Sequence, residues 1–362
     1  MSIHDRYRLS AVINARGTYT PLGVSRSSDG VAAAVAQALP EFFVMAELGD
    51  RASEAIAQVT GAQAGAVVHC TAAGLTLAVA ATMTGADPRR IASLPDTTDL
   101  HNRVVLPACQ VVDYGHSNLQ GIRLAGAHVD LAGTETRCTL ADLEAELDGP
   151  DICCLVLVSS RLTHCTPIDL VAAVRAAHRR GVPAIIDGAA QFPRIADLLA
   201  TGADLVLVSG QKYLGSPTAG LIAGAWPLVQ AVRAQDHGIG RTMKPTKEAI
   251  VGVIAALEEW QAFDRMKWEA DQLAKVTAFA EAAARIPGVR ADVVADPTGL
   301  PVSRVRLHVP DAKRIATELE AGRPSIYVMT DRAAADELML ELVPLTDAET
   351  ATILTRLWTL LT

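Results

Sequence analysis

AIIDGAAQFPRIADLLATGADLVLVSGQKYLGSPTAGLIAG, residues 184–224, is the stretch that decides the fold. Two short apolar runs within it, residues 184–186 and 205–208, have the length and composition of buried parallel strands. A helix-length segment, residues 194–200, lies between them. The same alternation extends from residue 66 to residue 224, which predicts an α/β fold with a doubly wound, mostly parallel sheet.

Two ionisable side chains follow these two runs. Asp187 ends the first run, and Lys212 comes just after the second, in the sequence Ser209-Gly210-Gln211-Lys212. Ligands of open α/β sheets bind at the carboxyl ends of the strands, so we expect both side chains at one site. A carboxylate and an amine with glycines around it suit pyridoxal phosphate, with Lys212 as the Schiff-base lysine and Asp187 as the partner of the pyridinium nitrogen. Lys212 alone would indicate a surface lysine at a turn, but Asp187, Ser209 and the glycines favour the cofactor site.

A second candidate motif, Thr71-Ala72-Ala73-Gly74, follows the strand-like residues 66–70 and opens an apolar, helix-length segment. The free N–H groups of a helix N-terminus bind phosphate, and small side chains let a phosphate approach the backbone. The Thr71 hydroxyl either bonds the anion or caps the helix. An ordinary capped turn is the alternative, and the cofactor phosphate predicted above favours the binding role.

Three other polar segments are candidate contacts of cofactor or substrate. Residues 111–116 are predicted as the end of a strand, with His116 just before a predicted helix. His116 either stacks there on the cofactor ring or caps the helix, and its position favours stacking. Residues 159–164, which include Ser160, follow another apolar run and form either a substrate-binding turn or a solvated one. Near the start of the chain, Arg16 and Tyr19 either reach the active site or belong to a connecting loop.

The composition restricts the function classes. The chain has 362 residues, of which 50% are hydrophobic and 20% charged, which suits one large domain and one smaller domain. Because the net charge is −8 and the chain has no long basic run, we expect no nucleic-acid partner. No apolar run reaches membrane-spanning length, so we expect no membrane partner either.

The cysteines and the first residues bear on compartment and metal binding. The six cysteines lack zinc-type spacing and several lie in apolar runs, so we expect reduced thiols and no metal. The first ten residues, MSIHDRYRLS, are polar and charged, unlike a signal peptide. Together these observations predict a soluble, cytoplasmic protein.

The pattern along the chain predicts three parts. Residues 1–30 form an N-terminal arm, and residues 31–245 form a large domain that binds the cofactor. Residues 246–362 comprise a long helical stretch, residues 249–286, that could bridge two domains, followed by short strands and helices of a small α+β domain.

The motifs resemble those of a known family. Over nearly its whole length the chain resembles the pyridoxal-phosphate-dependent, fold-type-I family of D-glucosaminate-6-phosphate ammonia-lyase and L-seryl-tRNA(Sec) selenium transferase. Residues 94–97 and 240–248 are the more specific blocks and point to the ammonia-lyase-like branch, whereas the Asp187 and Lys212 motifs indicate fold type I in general. The resemblance is carried by INARGTYTPLG (13–23), TAAG (71–74), LPDT (94–97), DGAAQFP (187–193), SGQK (209–212) and GRTMKPTKE (240–248).

The resemblance implies roles that agree with those read from the residues. Lys212 matches the Schiff-base lysine and Asp187 matches the pyridine-nitrogen partner. Ser209 joins residues 71–74 in the phosphate-binding cup. His116 matches the position that stacks on the cofactor ring.

Further contacts are implied by the resemblance alone. Gln191 matches a contact of the cofactor's phenolic oxygen. Arg241 and Lys244 match a loop that contacts cofactor or substrate across a dimer interface. The resemblance therefore implies a homodimer or higher homo-oligomer with shared active sites, acting on a small-molecule amino acid.

The implied activity is that of a lyase. The substrate amine displaces Lys212, the freed amine takes the Cα proton, and a leaving group departs from Cβ, so that ammonia and a 2-keto acid are released. A racemase or epimerase would use the same residues on a substrate without that leaving group. A selenium-transferase-like enzyme and a non-catalytic cofactor-binding protein are further alternatives. The net charge argues against a tRNA substrate, and the presence of Lys212 and Asp187 argues against a non-catalytic protein.

Overall fold

The predicted alternation of strands and helices is present in the computed structural model, which describes residues 3–163 and 165–362. Residues Ser27–Ala262 form one unit, here called the sheet unit. The residues up to Arg26 together with Phe263–Thr362 form a second, here called the terminal unit.

The secondary-structure elements of the described residues are numbered in chain order. The strands are β1 Val12–Asn14, β2 Ala64–Val68, β3 Arg103–Pro107, β4 His128–Ala132, β5 Ile152–Val158, β6 Ala184–Asp187, β7 Leu205–Ser209, β8 Gly220–Gly224, β9 Arg290–Val294, β10 Arg304–His308, β11 Ser325–Tyr327 and β12 Glu337–Leu340. The α-helices are α1 Ile3–Tyr7, α2 Asp29–Ala38, α3 Met45–Thr60, α4 Thr71–Thr84, α5 Pro88–Ser93, α6 Asn118–Leu124, α7 Leu140–Leu147, α8 Leu170–His178, α9 Ile195–Leu199, α10 Trp226–Ala234, α11 Lys247–Gln261, α12 Arg265–Ala283, α13 Ala312–Ala321 and α14 Asp347–Leu361.

The sheet unit is built on a seven-stranded sheet of order β2-β8-β7-β6-β5-β3-β4. Strands β3 to β7 are mutually parallel, and β8 runs antiparallel to both of its neighbours, β7 and β2. It follows that β2 runs in the same direction as β7. The carboxyl ends of every strand except β8 therefore lie at one edge of the sheet, here called the carboxyl edge.

The strands are buried on both faces, which explains their nearly continuous apolar sequences. In β7, Leu205 and Leu207 pack into one core with α4, α6 and α10, while Val206 and Val208 pack into the core on the opposite face with α7, α8, α9 and α11. All four side chains are fully buried. Helices on both faces of a mostly parallel sheet confirm the predicted α/β, doubly wound architecture.

The terminal unit has its own core between helices α12, α13 and α14 and an antiparallel sheet of order β12-β10-β9. Strand β1 pairs in parallel with β11. Arg304 is buried between the carboxylates of Asp296 (2.7 Å) and Glu341 (2.8 Å). Gly17 lies directly against this cluster, because a Cβ there would come within 2.5 Å of the Glu341 carboxylate. A charged group of three residues thus anchors the arm that carries Arg16.

The helical stretch predicted over residues 249–286 consists of two helices, α11 and α12. The break lies at Phe263 and Asp264, and the Asp264 side chain caps α12 by accepting a hydrogen bond from the Lys267 N–H (2.9 Å). The sequence places α11 in the predicted segment 246–362, whereas in the structure α11 packs against α2 and α3 within the sheet unit.

The expectation that all thiols are reduced is wrong for one pair of cysteines. Cys109 and Cys165 form a disulfide, with Cα atoms 5.5 Å apart, and the other four cysteines are free. Cys109 follows β3 and Cys165 follows β5, and these strands are neighbours in the sheet. Both cysteines therefore reach the carboxyl edge, a proximity that a sequence separation of 56 residues does not reveal.

Among the described residues, no helix has the length and apolar character needed to cross a membrane. Within the same residues, no group of three or more metal-ligating side chains is arranged to hold an ion.

Candidate active site

The carboxyl edge brings together residues that are far apart in the chain. Ser209, the last residue of β7, pairs with Gly220, the first residue of β8, and Gly220 also pairs with Val68, the last residue of β2. On the other side of β7, Asp187 ends β6, and its carbonyl accepts a hydrogen bond from the Ser159 N–H (2.9 Å). The segments that follow β2, β5, β6 and β7 therefore meet here.

The predicted phosphate turn lies at the start of α4. Cys70 precedes the helix in an extended conformation, and its side chain makes no capping hydrogen bond. The Thr71 and Ser209 hydroxyl oxygens are 2.5 Å apart. Gly220 permits this approach of β8, because a Cβ there would lie 2.6 Å from the Cys70 carbonyl and 2.8 Å from the Thr71 nitrogen. Two hydroxyls beside the N-terminus of a 14-residue helix fit a phosphate group.

The two residues after Thr71 complete this turn. Ala72 and Ala73 are the next residues of α4 and are half-buried, whereas Thr71 and Gly74 are buried. Their small side chains leave the backbone N–H groups of the first helical turn accessible. The structure thus brings four of the predicted phosphate contacts, Thr71, Ala72, Ala73 and Ser209, to one place at the carboxyl edge.

The Asp187 carboxylate is buried and can accept further hydrogen bonds. Its side chain is 7% exposed, and among the described residues its carboxylate accepts a hydrogen bond from the Ala189 N–H (3.1 Å). Burial raises the pKa of Asp187 from its ordinary value of 3.8 to about 6, and the positive charge of Lys212 acts in the opposite direction. A carboxylate in this environment is suited to accept a hydrogen bond from a protonated pyridine nitrogen.

Lys212 lies in a tightly closed loop between β7 and β8. The Gly210 N–H donates to the Ala219 carbonyl (2.9 Å), and the Ala219 N–H donates to the side-chain oxygen of Gln211 (3.1 Å). A Cβ at Gly210 would lie 2.4 Å from the Ser216 hydroxyl, so the glycine is required by the packing of this loop. The loop holds Lys212 near enough to Asp187 for its charge to affect the pKa of that carboxyl.

Gln191 lies in the turn that follows Asp187. It is 2% exposed, and its N–H donates to the Gly188 carbonyl (2.7 Å). The structure therefore places Gln191 beside the carboxyl edge, whereas its contact with a cofactor oxygen stays a prediction.

His116 lies in a loop, not at a strand end. The run at residues 111–116 was predicted as a strand, but β3 ends at Pro107 and residues 113–117 form a loop before α6. The His116 ring lies edge-on to the Tyr114 ring, with centroids 4.7 Å apart, and its Nδ1 is 2.9 Å from the Ser117 carbonyl oxygen. Stacking of His116 on a cofactor ring stays a prediction.

Tyr114 belongs to the candidate site, and the sequence reasoning missed it. Partial burial and the nearby Asp187 carboxylate raise the pKa of the Tyr114 phenol. The phenol therefore stays protonated near the Asp187 side of the site. Its position two residues before His116 was the signal that could have identified it.

Ser160 follows β5 at the same edge, next to the residue that contacts the Asp187 backbone. It is half-buried, and its hydroxyl accepts a hydrogen bond from the Leu162 N–H (3.1 Å). This bond stabilises the turn that follows β5, and substrate contact by Ser160 stays a prediction.

Arg241 and Lys244 line a separate cavity of about 930 Å³ in the sheet unit. The cavity is bounded by α3, β2, α10 and the loop before α11, and the Met243 carbonyl in that loop accepts a hydrogen bond from the His69 N–H (3.1 Å). Within the part of the chain that the structure describes, its lining includes neither Lys212 nor Asp187. The predicted contact of these two cations with cofactor or substrate stays a prediction.

Arg16 and Tyr19 belong to the terminal unit. The Arg16 guanidinium carbon lies 3.9 Å from the centroid of the Tyr19 ring, a cation–π contact. Their predicted contact with the substrate stays a prediction.

The sequence shows similarity to three groups of characterised proteins. Residues 186–287 match the family model of L-seryl-tRNA selenium transferase. The chain is 36% identical over 329 residues to the 5'-C-glycyluridine monooxygenase-decarboxylase of a Streptomyces species, covering 88% of this chain and 81% of that protein. It is 32% identical over 362 residues to the D-glucosaminate-6-phosphate ammonia lyase of Salmonella typhimurium, covering 98% of this chain and 97% of that protein.

The fold is also similar to a solved structure. A structure of D-glucosaminate-6-phosphate ammonia-lyase matches this chain with a TM-score of 0.89 and 31% sequence identity. The match covers 99% of this chain and 98% of the other. This similarity confirms the predicted fold class.

Asp187→Asn is expected to stabilise the cofactor-free protein at neutral pH. Because burial raises the pKa of Asp187 to about 6, the folded protein binds this proton more tightly than the unfolded chain does. The free energy of unfolding therefore falls as the pH rises from about 4 to about 6, because the buried acid loses its proton over this range. At pH 7.5 the substitution removes a buried charge and should raise the free energy of unfolding by up to about 3 kcal/mol, measured by urea denaturation.

The exposed Asp99→Asn is the matched control and should leave the free energy of unfolding unchanged. Repeating the measurement at pH 4.5 should reduce the difference between wild type and Asp187→Asn. A variant less stable than wild type at pH 7.5 would show that the Asp187 carboxylate is not held at an electrostatic cost.

Proposed function

The chain belongs to the pyridoxal-phosphate-dependent family that contains D-glucosaminate-6-phosphate ammonia lyase and L-seryl-tRNA(Sec) selenium transferase, and on that basis we propose that it binds pyridoxal phosphate and releases ammonia from an amino acid or amino sugar acid. One observation carries the proposal. A buried Asp187 carboxylate lies within the electrostatic reach of Lys212, at the same edge as the Thr71–Ser209 hydroxyl pair.

The residues of the carboxyl edge match the parts of the cofactor. The Thr71 and Ser209 hydroxyls and the first N–H groups of α4 bind the phosphate. The Asp187 carboxylate accepts the hydrogen bond of the protonated pyridine nitrogen, and the His116 ring orients the pyridine plane. Lys212 supplies the amine that joins the cofactor covalently. When bound, pyridoxal phosphate supplies an electron sink that stabilises negative charge at the substrate Cα.

Lys212 then performs the proton transfers. Its Nζ would remove the proton from the substrate Cα and return a proton to the oxygen that leaves Cβ. The buried Asp187 carboxylate would favour a protonated pyridine nitrogen, because the two opposite charges stabilise each other. The Tyr114 phenol, whose pKa is raised, stays protonated near this carboxylate.

The overall reaction balances without an oxidant. The Cα–H and Cβ–O bonds break and one water leaves, and hydrolysis of the resulting enamine consumes one water and gives a 2-keto acid and ammonia. The Salmonella relative, covered over 97% of its length, is named an ammonia lyase of D-glucosaminate 6-phosphate, a phosphorylated amino sugar acid. A substrate with a hydroxyl at Cβ is therefore our first candidate class.

A second candidate function comes from the other relative. The protein with 36% identity is named a monooxygenase-decarboxylase, a name that implies consumption of O₂ and release of CO₂. Racemisation or epimerisation is the third outcome, since Lys212 would reprotonate Cα when Cβ carries no leaving group. These three reactions share the same cofactor site and differ in their products.

The test is a substrate screen of the protein after incubation with pyridoxal phosphate. D- and L-amino acids with a Cβ hydroxyl and amino sugar acids, with and without a terminal phosphate, are assayed for ammonia, 2-keto acid, O₂ uptake, CO₂ and optical rotation. We expect ammonia and keto acid in equal amounts, with no O₂ uptake. Lys212→Ala should lower this rate at least about a thousandfold, because it removes both the covalent anchor and the proton carrier.

Lys313→Ala, at an exposed lysine of α13, is the matched control and should retain the activity. Stoichiometric O₂ uptake with CO₂ release would favour the decarboxylating reaction over the lyase. Turnover by Lys212→Ala at the wild-type rate would contradict the proposed role of this lysine.

We also propose that two copies of the chain share their active sites. Arg241 and Lys244 line a cavity that, among the described residues, lacks Lys212 and Asp187. Cations that line this cavity are available to a neighbouring copy. A homodimer or higher homo-oligomer would bring them to the substrate side of the partner's site.

A complementation experiment tests the shared site. Lys212→Ala and Arg241→Ala are each expected to be inactive, but coexpression should restore part of the activity, because mixed dimers contain one site with both residues intact. Coexpression of Lys212→Ala with Asp187→Asn is the control and should stay inactive. Lys212 and Asp187 of one site come from the same chain, so every site in a mixed dimer lacks one of them. A monomeric wild-type protein, or no recovery in the first mixture, would contradict shared sites.

A further inference from the structure

Asn118 is a fully buried amide at the base of the His116 loop. Its exposure is 0%, and both ends of its side chain are hydrogen-bonded. Its oxygen accepts from the Val112 N–H (3.2 Å), and its amide nitrogen donates to the Gln110 carbonyl (3.0 Å). The Asn118 N–H also donates to the Val112 carbonyl (3.1 Å). Asn118 therefore joins the chain before the loop to the chain after it.

Gln110 extends this connection to the strand beside Asp187. It is 3% exposed, and its side-chain oxygen accepts a hydrogen bond from the Val158 N–H (2.7 Å). Val158 is the last residue of β5 and pairs in register with Asp187 of β6. The Gln110 side chain thus links the base of the loop to the strand ends that carry the candidate site.

The loop between these anchors has little support of its own. Residues 113–117 include the exposed Asp113 and Gly115, and their internal bonds run from the Gly115 N–H to the Asp113 carboxylate (2.8 Å) and from the Tyr114 N–H to the His116 carbonyl (3.2 Å). Solvent competes for exposed hydrogen bonds, whereas the Gln110 and Asn118 bonds are buried and stronger. The His116 Nδ1 lies 2.9 Å from the Ser117 carbonyl oxygen. Because Ser117 directly precedes Asn118, the buried pair sets the position of the group that holds the ring.

We infer that Gln110 and Asn118 are positioning residues that hold the His116 ring in the orientation required to stack on the cofactor. This inference rests on the proposed cofactor role of His116. Neither amide side chain is assigned a contact with cofactor or substrate. If the two amides only satisfied backbone groups, their removal would have the same effect with and without the His116 imidazole. If they position the ring, the effect of their removal depends on that imidazole, and this dependence can be measured.

The test is a double-mutant cycle on pyridoxal phosphate affinity. Asn118→Ala and Gln110→Met are made in the wild-type and His116→Ala backgrounds, and the dissociation constant of pyridoxal phosphate is measured by tryptophan fluorescence quenching. We expect each variant to weaken binding about tenfold in the wild-type background and less than about twofold in the His116→Ala background.

Hydrogen exchange on the cofactor-free protein gives a readout independent of binding. Amides of residues 111–117 should exchange faster in Asn118→Ala, while the strands β5, β6 and β7 keep their protection. Asn102→Ala removes an amide that bonds Thr97 (2.9 Å) at the amino end of β3 and is the matched control. It should change neither the affinity nor the exchange of this loop.

The outcomes separate the inference from the proposed function. Equal losses of affinity in both backgrounds, or wild-type affinity in Asn118→Ala, would overturn the inference and leave the cofactor site in place. A wild-type protein that does not bind pyridoxal phosphate would overturn both. Loss of protection throughout the sheet in Asn118→Ala would show a general structural role and would also overturn the inference.

Discussion

β8 pairs antiparallel with both β2 and β7, and the candidate site depends on this double pairing. The register sets Gly220 between Val68 and Ser209. Because Gly220 lacks a Cβ, the Cys70 carbonyl and the Thr71 nitrogen pack directly against β8. Hydroxyl groups separated by 138 residues in the sequence then lie 2.5 Å apart. The parallel strands β5 and β6 end at the same edge and bring their following segments to this point.

The site is assembled at an electrostatic cost. Burial of the Asp187 carboxylate disfavours its charged form and raises its pKa to about 6, and the nearby Lys212 charge offsets only part of that effect. A carboxylate buried at such a cost is stabilised when a ligand supplies a further positive group beside it. A protonated pyridine nitrogen would do so, and the same cation would benefit from the carboxylate. The physical feature that weakens the cofactor-free fold is thus the one that would favour cofactor binding.

Local sequence signals predicted much of the fold and of the carboxyl edge. Asp187, Ser209 and Lys212 directly follow apolar runs, so their places at strand ends required only the recognition of those runs. Contacts between distant segments were not accessible in this way: the disulfide joins Cys109 to Cys165 only because β3 and β5 are neighbours. The break at Phe263 was also missed, because the helical pattern continues across it. Tyr114 was missed because its relation to Asp187 depends on the path of an irregular loop.

The central claim is that Lys212 is the covalent attachment point for pyridoxal phosphate at the carboxyl edge. Incubation of the wild-type protein with pyridoxal phosphate, reduction with sodium borohydride and peptide mapping by mass spectrometry would test it directly, because reduction makes a lysine–cofactor bond permanent. We expect one phosphopyridoxyl group per chain, on Lys212. Labelling of Lys244, Lys247 or another lysine at the same level, or no stable label on Lys212, would contradict the claim.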